Sequence, residues 1–167
     1  MRCFIAVEPD SEITDKLELL QKDLPKGVRP VEKENMHVTL LFLGEVDDDK
    51  VREISGFVSS ISVDFRMICA GVGAFPKPSF PRVVWAGVEA VELHSLHEEI
   101  CKYLHVRDDR FHPHITIGRV KQKVNVSDFV KRHERDFFGE TQIKKVFLKK
   151  STLTPAGPIY ENIAASR

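Results

Sequence analysis

His37-Val38-Thr39-Leu40 and His114-Ile115-Thr116-Ile117 repeat one pattern 77 residues apart. In a β-strand, residues i and i+2 share a face. Each segment therefore sets an imidazole beside a hydroxyl and turns its apolar residues the other way. Imidazole titrates near pH 6.5, so one histidine can take a proton while the other gives one. Hydroxyls at Thr39 and Thr116 are donors for charge that builds on non-bridging oxygens, and Arg119 supplies a nearby cation. Two such strands facing across a cleft would suit acid–base cleavage of a phosphodiester without a metal.

The elements that must position these groups are read from periodicity. Arg2–Val7 is expected as a first strand. A helix capped at Asp10 or Ser11 runs to about Asp23, with Ile13, Leu17 and Leu20 inward. His37–Leu43 is a strand whose parity sends Phe42 to the core side. A second helix opens at Asp47-Asp48-Asp49, read as a cap whose acids suit the helix dipole. Ser62–Gly73 holds a strand and Phe75–Pro81 a loop, since three prolines in seven residues do not suit a central strand. Arg82–Val88 is a strand with Trp85 in the core. Val91–Leu104 is a helix, His114–Val120 a strand, and Ser127 caps a short helix to about His133. Gln142–Leu153 and Pro158–Ala164 are the last strands. Elements of both kinds alternate without a linker, so residues 1–167 are expected as a single α+β domain. The repeat implies two lobes, each giving one strand to a shared cleft.

The chain has 167 residues, 42% hydrophobic and 30% charged, which excludes disordered and collagen-like classes. No run approaches the ~18 apolar residues of a membrane span, and the opening segment reaches Glu8 too early for a secretory signal. Three separated cysteines, Cys3, Cys69 and Cys101, argue against a disulfide framework and for a reducing cytoplasm. Net charge is zero, yet Arg119–Lys150 carries ten basic residues against four acids. Such a stretch is either a solvated surface or a local field for phosphate.

Other chemistry-bearing residues have plainer readings. His94, His97, Cys101 and His105 form a helical stripe, but one straight helix cannot wrap four ligands around zinc. His112 is read as a loop residue. Lys77, Arg82 and Tyr160 are candidates for contacting substrate. No glycine-rich phosphate loop with a lysine is present, so ATP has no visible seat.

The two His-x-Thr segments with their flanks, Asn35–Gly44 and Phe111–Arg119, carry a family resemblance. So do Arg2–Val7, Phe75-Pro76, Arg82–Val88 and Ser151–Tyr160. The chain resembles the RNA 2′,3′-cyclic phosphodiesterases, long called 2′-5′ RNA ligases, within the two-histidine phosphoesterases, and the Lys77-Pro78-Ser79 loop and C-terminal tail resemble archaeal members. The resemblance implies two pseudo-symmetric lobes, each an antiparallel sheet with helices outside, around a central cleft carrying both motifs. It implies hydrolysis of an RNA 2′,3′-cyclic phosphate to a 2′-phosphomonoester, with His114 as general base, His37 as general acid, and Thr39 and Thr116 on phosphate oxygens. It also implies Phe42 as a base-stacking residue, no metal and no cofactor. The expected partner is RNA ending in a cyclic phosphate, tRNA fragments included, met by a monomer. Reversed with a 5′-hydroxyl RNA, the same pair would form a 2′-5′ linkage without ATP. The alternatives are a phosphodiesterase for 2′-5′ oligonucleotides or small cyclic phosphates, and a module that binds RNA ends without chemistry.

Overall fold

The computed structural model describes residues 1–167. In chain order it contains β1 (Arg2–Val7), α1 (Ser11–Gln21), β2 (Val28–Pro30), a 3-10 turn (Lys33–Asn35), β3 (Val38–Glu45), α2 (Asp48–Ser60), β4 (Phe65–Lys77) and β5 (Phe80–Glu89). Then follow α3 (Val91–Leu104), β6 (His114–Val120), α4 (Ser127–His133), β7 (Phe137–Ile143), β8 (Phe147–Thr154) and β9 (Gly157–Ala165). No helix is long and apolar enough to cross a membrane.

The strands form one sheet in the order β7-β4-β5-β6-β3-β1-β8-β9, with β2 added beside β6. Every pairing is antiparallel. The order is pseudo-symmetric about its centre: β6-β5-β4-β7 form one lobe and β3-β1-β8-β9 the other. The two inner strands meet only at Val38↔Ile115. Beyond that pair β3 leaves β6, and β2 takes over its edge at Gly118–Val120. One shared bridge instead of a full ladder lets the lobes splay and opens a groove between them.

Helices cover the outer face. Asp47 caps α2 by accepting from Lys50 N at 2.8 Å, and Asp10 caps α1 by accepting from Ile13 N. The stripe Leu93, Leu96 and Ile100 of α3 joins Ile5, Ile13, Leu17, Leu40, Ile115 and Ile117 in the buried layer beneath the sheet. That layer fixes the outward faces of β3 and β6, because their inward faces are held by buried apolar side chains.

Four expectations change. The proline segment is not a loop: β4 and β5 continue as a hairpin to Lys77↔Phe80, with Pro76 opposite Pro81. Two prolines facing each other leave no orphaned N–H, and this tip lies beyond the part of β5 that pairs with β6. The long strand expected over Gln142–Leu153 is two strands, broken at Lys144–Val146. The first of these, β7, pairs only with β4 and buries one face. Asn125, not Ser127, provides the side-chain acceptor at the start of α4, bonding Ser127 N at 2.8 Å. Trp85 is not a core residue. Its ring lies over Gly73, where a Cβ would come within 2.3 Å of it, and it packs against His112 and Phe75 on the groove side.

Candidate active site

The groove is built on β3 and β6. His37 donates from Nδ1 to the carbonyl of Asn35 at 2.7 Å, and His114 donates from Nδ1 to the carbonyl of His112 at 2.6 Å. In both cases the acceptor lies two residues earlier, so the repeated sequence makes a repeated geometry. Holding Nδ1–H on a carbonyl fixes the tautomer and leaves Nε2 with its lone pair. The two differ at that atom. Nε2 of His37 accepts from the Thr39 hydroxyl at 2.9 Å. His114 has no protein hydrogen bond besides that to His112, so its Nε2 lone pair is free.

The rings are walled by aromatics from their own lobes. Phe4 packs against His37 at 4.9 Å, and Tyr160 meets it edge-on at 5.3 Å. Phe75 meets His114 edge-on at 5.1 Å, with Trp85 at 6.1 Å. Burial in these walls is the main reason the pKa of His37 falls, to about 4, although its bond to Asn35 opposes the fall. The charges of Lys149, Arg119 and His114 add to the depression. Burial also lowers the pKa of His114, with smaller contributions from His112 and Arg119. Both shifts favour the neutral imidazole at pH 7.

Strand parity alone misplaces two side chains, and matching β-bulges correct it. In the β1–β3 ladder Ile5 pairs with Leu41 and Ala6 with Thr39, which leaves Leu40 as an extra residue. In the β5–β6 ladder Val84 pairs with Gly118 and Trp85 with Thr116, which leaves Ile117 extra. Each bulge follows directly after the His-x-Thr triplet and shifts the alternation by one. Phe42 is thus turned to the groove side, 70% exposed and 5.9 Å from Phe4, rather than into the core. Arg119, at the equivalent position 77 residues later, is turned to the same side by the same device. The second bulge is tied down by Gln21, whose Nε2 donates to the carbonyls of Ile117 and Val31 at 2.9 and 2.7 Å.

His37, Thr116, Arg119, Tyr160, Asn35 and Arg29 line a cavity of about 90 Å³ in the groove, and Thr39 and His114 do not line it. Tyr160 is held there through Asn35, whose Nδ2 donates to the Pro158 carbonyl at 3.1 Å. Phe42 lines an adjoining cavity of about 520 Å³ that shares Arg29, Arg119 and Tyr160 with the first. Lys77 and Arg82 are not brought to either cavity. Lys77 ends the β4–β5 hairpin, and Arg82 lines a separate pocket with Phe80 and Val124. The reason for Arg82 is alternation: Val83 and Trp85 face the groove, so residue 82 faces away. The basic stretch Arg119–Lys150 is dispersed as well. Arg119 and Lys121 reach the groove, whereas Arg132 is paired with Asp23 on the outside.

Several residues at the site lie outside the sequence expectations. Arg29 comes from β2, a strand too short to leave a periodic signal. Lys149 is 6% exposed, with Nζ donating to Glu8 at 2.5 Å and Asn162 at 2.8 Å. It lies opposite Phe4 across the β1–β8 ladder, which puts a buried cation near His37. On α3, His97 bonds Asp108 at 3.0 Å and stacks on Phe111, and no grouping of three or more His, Cys, Asp or Glu is spaced to hold a metal ion.

Comparison with known proteins agrees with this fold. The family model described as LigT like Phosphoesterase matches residues 7–85, which include the first His-x-Thr segment. The chain is 44% identical to the RNA 2′,3′-cyclic phosphodiesterase of Archaeoglobus fulgidus, over 98% of each chain. It is 37% identical to that of Methanocaldococcus jannaschii over 98% of each, and 37% identical to that of Thermotoga maritima over 96% of this chain and 92% of the other. Among solved structures, TT0787 of Thermus thermophilus superimposes with a TM-score of 0.83 at 28% identity, covering 99% of this chain and 96% of that one. Apo E. coli LigT has the same fold, with a TM-score of 0.76 over 98% of this chain and 95% of that one, at 24% identity. With both His-x-Thr strands set in one groove and full-length relatives on either side of the archaeal–bacterial divide, the chain belongs to the RNA 2′,3′-cyclic phosphodiesterase family of LigT-like phosphoesterases.

Proposed function

We propose that the protein hydrolyses RNA 2′,3′-cyclic phosphate ends to 2′-phosphomonoesters by metal-independent acid–base catalysis between its two histidines. The observation that carries this reading is the asymmetry at Nε2 between otherwise equivalent imidazoles. His114, neutral and with its Nε2 lone pair free, is the base that takes a proton from the attacking water. His37, whose Nε2 meets a hydroxyl, is the acid that gives a proton to O3′. The bond from phosphorus to water oxygen forms as the bond to O3′ breaks, leaving a 2′-phosphate and a 3′-hydroxyl. Thr116 and Arg119 donate to the non-bridging oxygens as their charge grows, joined by Thr39 once protonation of His37 releases its hydroxyl. Phe42 stacks on the terminal base, and Tyr160 closes the wall beside His37.

An acid must hold its proton before it can give it. Burial and neighbouring cations favour the neutral form of His37 before substrate binds. A phosphate anion reverses the sign of the local field and raises the pKa of His37 as substrate binds. Proton uptake is thereby tied to occupancy by an anion. The same pair run backwards, with a 5′-hydroxyl RNA in place of water, forms a 2′-5′ linkage without ATP.

Paired substitutions test the assignment. His37→Ala and His114→Ala each lower kcat by about 10²–10⁴ on a cyclic-phosphate RNA while the fold is kept. Near-wild-type turnover by either variant would overturn the acid–base roles.

A further inference from the structure

The larger cavity beside the histidine groove has a composition that, Arg119 apart, the reaction at phosphorus does not require. Four cations, Arg2, Arg29, Arg119 and Lys121, line it, and no carboxylate does. In a protein of zero net charge that is a strong local imbalance. None of the four is in an ion pair. Glu45, the residue opposite Arg2 in the ladder, is engaged by the Met1 ammonium at 3.5 Å. Between the cations stand two large apolar side chains, Phe42 and Leu153, each 70% exposed. Both sit in the same cavity, one on β3 and one near the tip of the β8–β9 hairpin.

That hairpin wall is held firmly. Thr154 Oγ1 donates to the Gly157 carbonyl at 2.6 Å, and Arg29 Nη2 donates to the Ala156 carbonyl at 2.6 Å. Arg2 and Phe4 share a face of β1, two residues and about 7 Å apart. Phe4 is the residue that contacts both His37 and Phe42. The cavity therefore extends outward from the catalytic groove along β1, with an apolar wall on each side and a cation further out. Alternating apolar platforms and unpaired cations are what a single-stranded nucleic acid engages through its bases and its backbone.

We propose that this cavity is a subsite for the nucleotide that precedes the cyclic-phosphate end, with Arg2 on the connecting phosphodiester and Leu153 against the preceding base. The inference rests on the proposed function, in which Phe42 takes the terminal base. It makes the enzyme selective for RNA ends over free cyclic mononucleotides, and it locates that selectivity in Arg2 and Leu153, which take no part in the acid–base step. Arg2 and Leu153 are exposed, so substituting them leaves the core intact.

Turnover is compared for adenosine 2′,3′-cyclic phosphate and for di- and triadenylates with the same end. The dinucleotide exceeds the mononucleotide in kcat/KM by about tenfold or more, as a charge-assisted phosphate contact provides. The third nucleotide adds little, and the preference shrinks as salt rises. Arg2→Gln lowers the dinucleotide-to-mononucleotide ratio about tenfold, and Leu153→Ser lowers it several-fold. Equal turnover of mono- and dinucleotide, or a ratio unchanged by Arg2→Gln, overturns the subsite. Calorimetric titration with the corresponding 2′-phosphates separates this from the catalytic reading. If no cyclic phosphate is turned over but the dinucleotide 2′-phosphate binds tighter and loses that margin in Arg2→Gln, the subsite stands and the catalytic reading fails. Equal binding of the two 2′-phosphates overturns the subsite.

Discussion

Lowering the pH should strip stability from this protein, most of all through His37. Its pKa is pushed to about 4 by burial against Phe4 and Tyr160 and by the neighbouring cations. In the unfolded chain the same imidazole titrates near 6.5. Between these values the unfolded state binds a proton that the native state refuses, so stability falls as pH falls. The contribution is fully present above pH 6.5 and is lost by about pH 4, a total of roughly 3 kcal/mol at 1.36 kcal/mol per pH unit. The perturbation is His37→Gln, which removes the titration and keeps a polar group of similar reach. Urea unfolding of both proteins at intervals from pH 7 to pH 4 gives the assay. The stability difference, wild type minus variant, should shrink by up to roughly 3 kcal/mol across that range. An NMR titration of the ring should independently place its midpoint near 4. Parallel stability curves with a midpoint near 6.5 would refute the reasoning, because the walls would then not be desolvating the ring.

Two further predictions concern the rate and the bulge. Burial lowers the pKa of both imidazoles, so kcat/KM, which reports the free enzyme, should peak on the acid side of pH 6.5 and fall about tenfold per unit above it. A kcat/KM plateau reaching pH 8 would contradict that. Gln21→Leu removes two bonds to the carbonyls beside the Ile117 bulge, which should cost about 1–3 kcal/mol in urea unfolding and lower kcat/KM through a loosened Arg119; unchanged stability would show that the bulge does not depend on Gln21.

Much of the site was legible because it is local. Each histidine is fixed by a carbonyl two residues away, so the pattern His-x-Thr contains its own geometry. The 77-residue spacing marked the two strands that the fold brings together at Val38↔Ile115. What local reading missed was non-local. Parity sent Phe42 inward because an uninterrupted alternation was assumed, yet Leu40 and Leu41 are both buried in succession. That adjacent apolar pair was the available sign of a bulge. β7 was missed because it is an edge strand with Glu140 and Gln142 outward and Gly139 at φ 132. Arg29 and Lys149 reach the site only through pairing of β2 with β6 and of β8 with β1, partnerships that no segment encodes alone. Arg82 lies away from the groove for the opposite reason: simple alternation holds there and turns it away.

The most direct test of the central claim is incubation of the purified protein with a short RNA ending in a 2′,3′-cyclic phosphate, in EDTA and without ATP, with the product identified by mass and by sensitivity to phosphomonoesterase. The proposed pair of histidines predicts complete conversion to a 2′-phosphate, abolished in both His37→Ala and His114→Ala. No turnover between pH 5 and 9, or a 3′-phosphate product, would contradict it.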